Sequence, residues 1–197
     1  MHPGNGSGRT GAAPGNLPRR GNGGPLRLPL LRDADTGESL ADFLPTEGQG
    51  VLGVFAIAVH DHQPHCDCPS CRDSYATMLR RSVRVTLAEA ASSWLDARIA
   101  ASAAPEFKVI KPAAGYAACP DHSLKRDILA LLPTGIGIRL TETCAMAPDA
   151  SVCGFVLLHP EAAYPEVRRI TRSQYDAYAA ARGFSPDEAR LYLSHLL

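Results

Sequence analysis

The sequence has no excess charge of either sign: twenty Lys and Arg balance twenty Asp and Glu in 197 residues. A formally neutral chain gives no electrostatic reason to expect nucleic acid or an anionic membrane as partner. No run reaches the roughly eighteen apolar residues of a membrane span, and the N-terminus lacks the apolar core of a secretory signal. The cytoplasm is therefore the expected compartment. Large apolar residues are nearly absent from Met1 to about Pro25, a stretch of Gly, Pro, Asn and Arg whose ordering burial would not offset. Residues 1–25 accordingly read as a disordered tail, with a tether to a partner protein as the alternative. No internal repeat is present.

The whole chain is 45% hydrophobic, enough for one sizeable core and too little for two full domains. Turn chemistry around Thr36 and Gly37 puts the start of ordered structure near Ser39. Val51, Leu52, Val54, Phe55, Ile57 and Val59 form a β-branched and aromatic run of strand length. Between Arg72 and Ala101, apolar residues recur at Tyr75, Met78, Leu79, Val83, Leu87, Ala90, Trp94 and Leu95. That is helical spacing along one stripe, with Arg80, Arg81, Arg84, Glu89 and Asp96 on the opposite face.

After Pro105, the residues Phe107, Val109 and Ile110 read as a short strand. Ser123 stands where it would cap a helix carrying Leu124, Ile128, Leu131 and Leu132. Ile136, Ile138 and Leu140 alternate as a strand, and Val152–Leu158 reads as another, more fully buried. Thr171 with Gln174 and Ser185 with Glu188 each fit a capping box, so two short helices close the chain, the first stopping at Gly183. The order of elements predicts an α+β fold: a single domain with a mostly antiparallel twisted sheet, a long helix and two short C-terminal helices.

Two clusters carry possible chemistry. HDHQPHCDCPSC places His60, His62, His65, Cys66, Cys68 and Cys71 in one short segment, with soft ligands suited to zinc or copper. In a reducing compartment a metal is favoured over disulfides. A zinc site normally draws on two separated ligand knuckles and only one is present, so an exposed loop of unusual composition is the alternative. The other cluster is KPAAGYAACPDH, where Pro112, Gly115 and Pro120 punctuate small residues. It makes a tight loop whose main-chain groups can approach a ligand. No Ser/His/Asp or Cys/His device accompanies it. Cys119, His122 and Cys144 read as a fixed loop histidine and small buried thiols.

KPAAGYAACPDH is followed by LTETCAMAPDASVCG and then by His159, Pro160 and Tyr164. In this order the segments closely resemble the C-terminal activation domain of cobalamin-dependent methionine synthase, whose usual wording is RPAPGYPACPEH, LTES-AM-P-ASVSG and HP-----Y. SLADF, GVFAIAV and SYATMLRRSV extend the resemblance over residues 39–197. The family domain carries about as much again upstream, so the chain reads as N-terminally shortened. The family's cofactor-contacting aspartate lies in that upstream part, and nothing before Ser39 matches it, with Asp33 and Asp35 as the candidate acidic residues for its place.

The resemblance implies a C-shaped α+β domain that binds S-adenosylmethionine and assists reductive remethylation of cobalamin. It places the ligand on Lys111, Ala113, Gly115, Tyr116 and Tyr164. Lys111 stands where the family has the arginine that binds the ligand carboxylate, and Ala113 offers its main chain to the adenosyl group. An ammonium keeps that charge but lacks the two parallel hydrogen bonds of a guanidinium. Implied partners are a cobalamin-binding methionine synthase module on another chain and a flavodoxin-like reductant, with no turnover by this chain alone. Glu142, Asp149 and Glu161 lie inside the matching segments and receive no role. The alternative is a cofactor-free interaction or metal-handling protein that kept the fold and lost the ligand.

Overall fold

The computed structural model describes residues 14–17, 26–44, 50–61, 74–133 and 135–197. Strand β1 (Pro14–Leu17) pairs antiparallel with β2 (Leu26–Pro29), and β1 is the only part of the expected 1–25 tail among the described residues. Packed structure starts before Ser39, because Leu28, Leu30 and Leu31 are already buried. The turn that follows is organised by Asp33. Its buried carboxylate accepts from the amides of Asp35 and Thr36 at 2.9 Å and from those of Arg168 and Arg169 at 2.8 and 3.1 Å. Asp33 thus joins the start of the described core to the segment before the C-terminal helices, and Asp35 forms an ion pair with Arg169. Both carboxylates are committed to these contacts. Ser39 then caps a 3₁₀ turn (Leu40–Phe43), accepting from the Ala41 amide and donating to the Leu31 carbonyl.

The predicted first strand is β3 (Val51–Ala58), and the long amphipathic pattern folds as helix α1 (Ser74–Ser102). Next come β4 (Lys108–Ile110), α2 (Leu124–Leu131), a short hairpin of β5 (Arg139–Leu140) and β6 (Met146–Ala147), and β7 (Ser151–His159). The main sheet has the order β3-β7-β4 and is antiparallel throughout. One face presents Leu52, Val54, Ala56, Ile110, Cys153, Phe155 and Leu157 to a core completed by Leu28, Leu30, Leu40, Leu124 and Ile128. The other presents Phe55, Gly154 and Val156, and α1 runs over it.

Four local expectations are corrected. The stripe Tyr75, Met78, Leu79, Val83, Leu87 and Trp94 faces outward, with Val83 58% and Trp94 65% exposed. The side of α1 that meets the sheet is small and polar: Ala88 is buried, and Arg84 pairs with Asp61 and Asp149. Ser123 does not cap α2. It sits in helical conformation, donates its own hydroxyl to Asp121 at 2.8 Å, and Asp121 accepts the Ser123 amide at 2.7 Å. The strand expected from Ile136 shrinks to Arg139–Leu140, because Gly137 takes a left-handed φ of +74°; the Ile136 carbonyl accepts from His60 Nε2 at 3.1 Å. Gln174 completes only half of its predicted box, since its side chain spans the Arg32 main chain instead.

The chain closes with α3 (Arg172–Arg182), ending at Gly183, and α4 (Pro186–Leu193), whose Ser185 and Glu188 form the full capping box. With Leu31, Val167 and Ile170, Tyr178, Tyr192 and Leu193 build a second small core. Among the described residues no helix is long and apolar enough to cross a membrane.

Candidate ligand-binding loop

The register that pairs Ile110 with Leu157 carries on past β4 to Ala113 and Gly154. Phe155 N donates to Pro112 O and Ala114 N to Cys153 O, both at 3.0 Å. The KPAAGY segment is therefore not a free loop, since its first residues extend the edge strand. It presses so closely on β7 that a Cβ on Gly154 would meet Pro112 O at 2.2 Å and Ala113 Cα at 2.7 Å. A glycine amid the bulky residues of β7 marks this close approach of two backbones.

Beyond that crossing the chain turns on itself. Tyr116 N donates to Ala113 O at 3.3 Å, Cys119 N to Tyr116 O and Gly115 N to Cys119 O, each of the last two at 2.7 Å. Gly115 has φ +94°, a left-handed conformation that side chains disfavour. The His122 ring also lies where its Cβ would be, 2.4 Å away. Lys125 fixes that ring by donating to His122 Nδ1 at 2.8 Å and to the Cys144 carbonyl at 3.1 Å. Desolvation and the nearby ammonium hold the His122 imidazole below its ordinary range, and desolvation also lowers Lys125.

The second motif segment meets the first at Tyr164, whose hydroxyl accepts the Lys111 amide at 2.8 Å. Val167 N then donates to Ala117 O at 2.9 Å. Pro112 and Ala114 are buried beneath the turn, whereas Tyr116 and Tyr164 stand 68% and 60% exposed. Two exposed phenol rings thus stand beside the half-buried Ala113 and Gly115 at the sheet edge. Flat, partly apolar groups of this kind can cover a purine or a sulfonium without any acid or base.

Of the expected ligand residues, Ala113, Gly115, Tyr116 and Tyr164 are brought together with the Lys111 backbone. The Lys111 side chain goes elsewhere. Its Nζ lies 2.8 Å from Ser92 O, 2.6 Å from Ser92 Oγ and 2.8 Å from Asp96 Oδ1, all on α1. The Phe55 ring centre is 4.9 Å away, and the side chain is only 7% exposed. Ser92 and Phe55 were absent from the sequence-derived site. Ser92 and Asp96 lie at i and i+4 on α1, whereas Phe55 comes from β3.

The three described cysteines are buried, and burial pushes the Cys119 thiol up and that of Cys153 up to about 11. Neither supplies a thiolate near neutral pH. His62, His65, Cys66, Cys68 and Cys71 lie outside the described residues. His60, the remaining member of the metal candidate, packs on Gly137 and binds the Ile136 carbonyl. Among the described residues no group of three His, Cys, Asp or Glu is placed to hold a metal.

An edge strand prolonged into a glycine-crossed turn, with a phenol from the next segment closing on it, defines a small α+β domain. A solved structure described as the crystal structure of the MetH reactivation domain bound to AdoHcy shares this fold. It matches with a TM-score of 0.58 at 32% identity, covering 65% of this chain and 45% of that one. The sequence pattern of the vitamin B12 dependent methionine synthase activation domain matches residues 26–183, and the chain belongs to that family. It spans less than half the length of the reactivation-domain chain it resembles.

Proposed function

We propose that this chain binds S-adenosylmethionine on the Lys111–Tyr116 turn and assists reductive remethylation of cobalamin on a methionine synthase module supplied by another chain. One observation carries the reading: the Tyr164 hydroxyl bound to the Lys111 amide, which joins the two motif segments across 53 residues of sequence. The family assignment and the AdoHcy held by the related reactivation domain support it. In this reading Ala113 and Gly115 offer main-chain groups to the adenosyl portion, while Tyr116 and Tyr164 flank it.

When bound, S-adenosylmethionine would give up its sulfonium methyl to reduced cobalamin held by the partner and leave as the neutral thioether S-adenosylhomocysteine. The chain's own task is capture and orientation, so a site without an acid, a base or a nucleophile suffices. A flavodoxin-like protein supplies the electron. This chain alone shows no turnover.

Calorimetric titration with S-adenosylmethionine tests the proposal. Binding is expected in wild type and is lost in Tyr164→Ala, with Tyr164→Phe intermediate because the ring remains while the bond to the Lys111 amide goes. No heat at millimolar ligand overturns it.

A further inference from the structure

We infer that Lys111 is a positioning residue: its ammonium pins helix α1 to the turn and does not grip the ligand's carboxylate. The inference rests on the ligand reading above and reassigns one residue within it. An ammonium has three protons to donate. Ser92 O, Ser92 Oγ and Asp96 Oδ1 are three acceptors, each within 2.8 Å, and the Phe55 ring covers a further side.

Charge balance points the same way. Asp96 already neutralises the ammonium, so an incoming carboxylate meets no net positive charge and faces a fixed like charge beside it. Displacing Asp96 would exchange one ion pair for an equivalent one and leave Asp96 without its partner. The Ser92 contacts hold the ammonium beneath α1 in either case. Lys111 is also the residue whose amide meets Tyr164. Its two ends therefore connect α1 to the phenol that closes the turn, and the position of one is transmitted to the other.

The test compares S-adenosylmethionine with its decarboxylated analogue on the full chain. Lys111→Met is expected to weaken both ligands by the same factor, on the order of tenfold. Asp96→Asn is expected to weaken both in the same ratio, and the double variant is expected to be no worse than Lys111→Met. Lys111→Arg is expected to bind no tighter than wild type, because a planar fork does not fit three converging acceptors. Selective loss of the carboxylate-bearing ligand in Lys111→Met, or tighter binding in Lys111→Arg, overturns the inference and leaves the ligand reading intact.

If wild type binds neither ligand, the ligand reading falls and the tether is judged by urea unfolding of wild type, Lys111→Met, Asp96→Asn and the double variant. Non-additive midpoint shifts for Lys111→Met and Asp96→Asn sustain it, and additive shifts overturn it.

Discussion

Gly154→Ala adds one methyl group where β7 meets the turn, and its cost follows from the contacts. The new carbon would sit 2.2 Å from Pro112 O, 2.7 Å from Ala113 Cα and 2.9 Å from the Phe55 ring. The first two are backbone, so a rotamer change does not relieve them. Either β7 or the turn must move. Movement breaks the 3.0 Å bonds from Phe155 N to Pro112 O and from Ala114 N to Cys153 O. Overpacking of this kind costs about 1–3 kcal/mol, and two lost hydrogen bonds add about 1 kcal/mol each. The sum is about 4 kcal/mol, which lowers the midpoint of thermal unfolding by roughly 8–16 °C for a chain of this size. Differential scanning calorimetry with the titration above gives both readouts. The proposed ligand site is expected to suffer with the fold, because the displaced residues are the ones that present Ala113 and Gly115. A variant with wild-type stability and unchanged affinity would refute the close crossing as the element that sets the turn.

Asp33→Ala removes the acceptor for the Arg168 and Arg169 amides, and urea unfolding is expected to show a loss of about 3 kcal/mol. Burial pushes the Asp33 carboxyl up, but the amides of Thr36, Arg169, Arg168 and Asp35 outweigh it and hold the group below the usual carboxylate range. Its contribution is present above the unfolded pKa of about 3.9 and is lost as pH falls below it. An acid-unfolding curve with the same slope in Asp33→Asn as in wild type would count against this. His122 acts in the same direction at higher pH. Its folded pKa lies below the ordinary 6.5, so unfolding takes up a proton and stability is lost as pH drops below that value. His122→Gln is expected to flatten that part of the stability profile measured by urea titration at a series of pH values. Ser185→Ala removes the cap that accepts the Glu188 amide at 3.2 Å; about 1 kcal/mol is expected, read as a shift in the urea midpoint.

The strands were legible because both faces of the central sheet are covered. β3 and β7 then need β-branched and aromatic residues on both sides, and a continuous apolar run follows. The capping boxes were legible for a different reason: a box closes within four residues, so Ser185 and Glu188 need no tertiary knowledge. Gln174 shows the limit of that locality. It sits in the same pattern, yet Arg32, 142 residues away, offers both a donor and an acceptor and takes the side chain. Ser123 fails similarly, because buried Asp121 also receives Tyr178 and claims the serine hydroxyl for the same network.

Helix α1 runs against the ordinary inference from an amphipathic pattern. A stripe such as Leu79, Val83, Leu87 and Trp94 is read as the face that meets the core, yet here it stays exposed. What holds the opposite side down is polar: Arg84 to Asp61 and Asp149, and Lys111 to Ser92 and Asp96. No spacing rule announces such pairs, since each joins the helix to a residue of another element. The same fact explains why the candidate site was half legible. Motif order named Ala113, Gly115, Tyr116 and Tyr164, which the local turn and the Tyr164–Lys111 bond bring together. The direction of a flexible lysine depends on what lies under it, and Ser92, Asp96 and Phe55 come under Lys111 only once the sheet has formed. A charge kept at a family position is therefore weak evidence of a kept role, because four methylenes let the Lys111 ammonium reach Ser92 and Asp96 while its backbone stays at the Tyr164 contact.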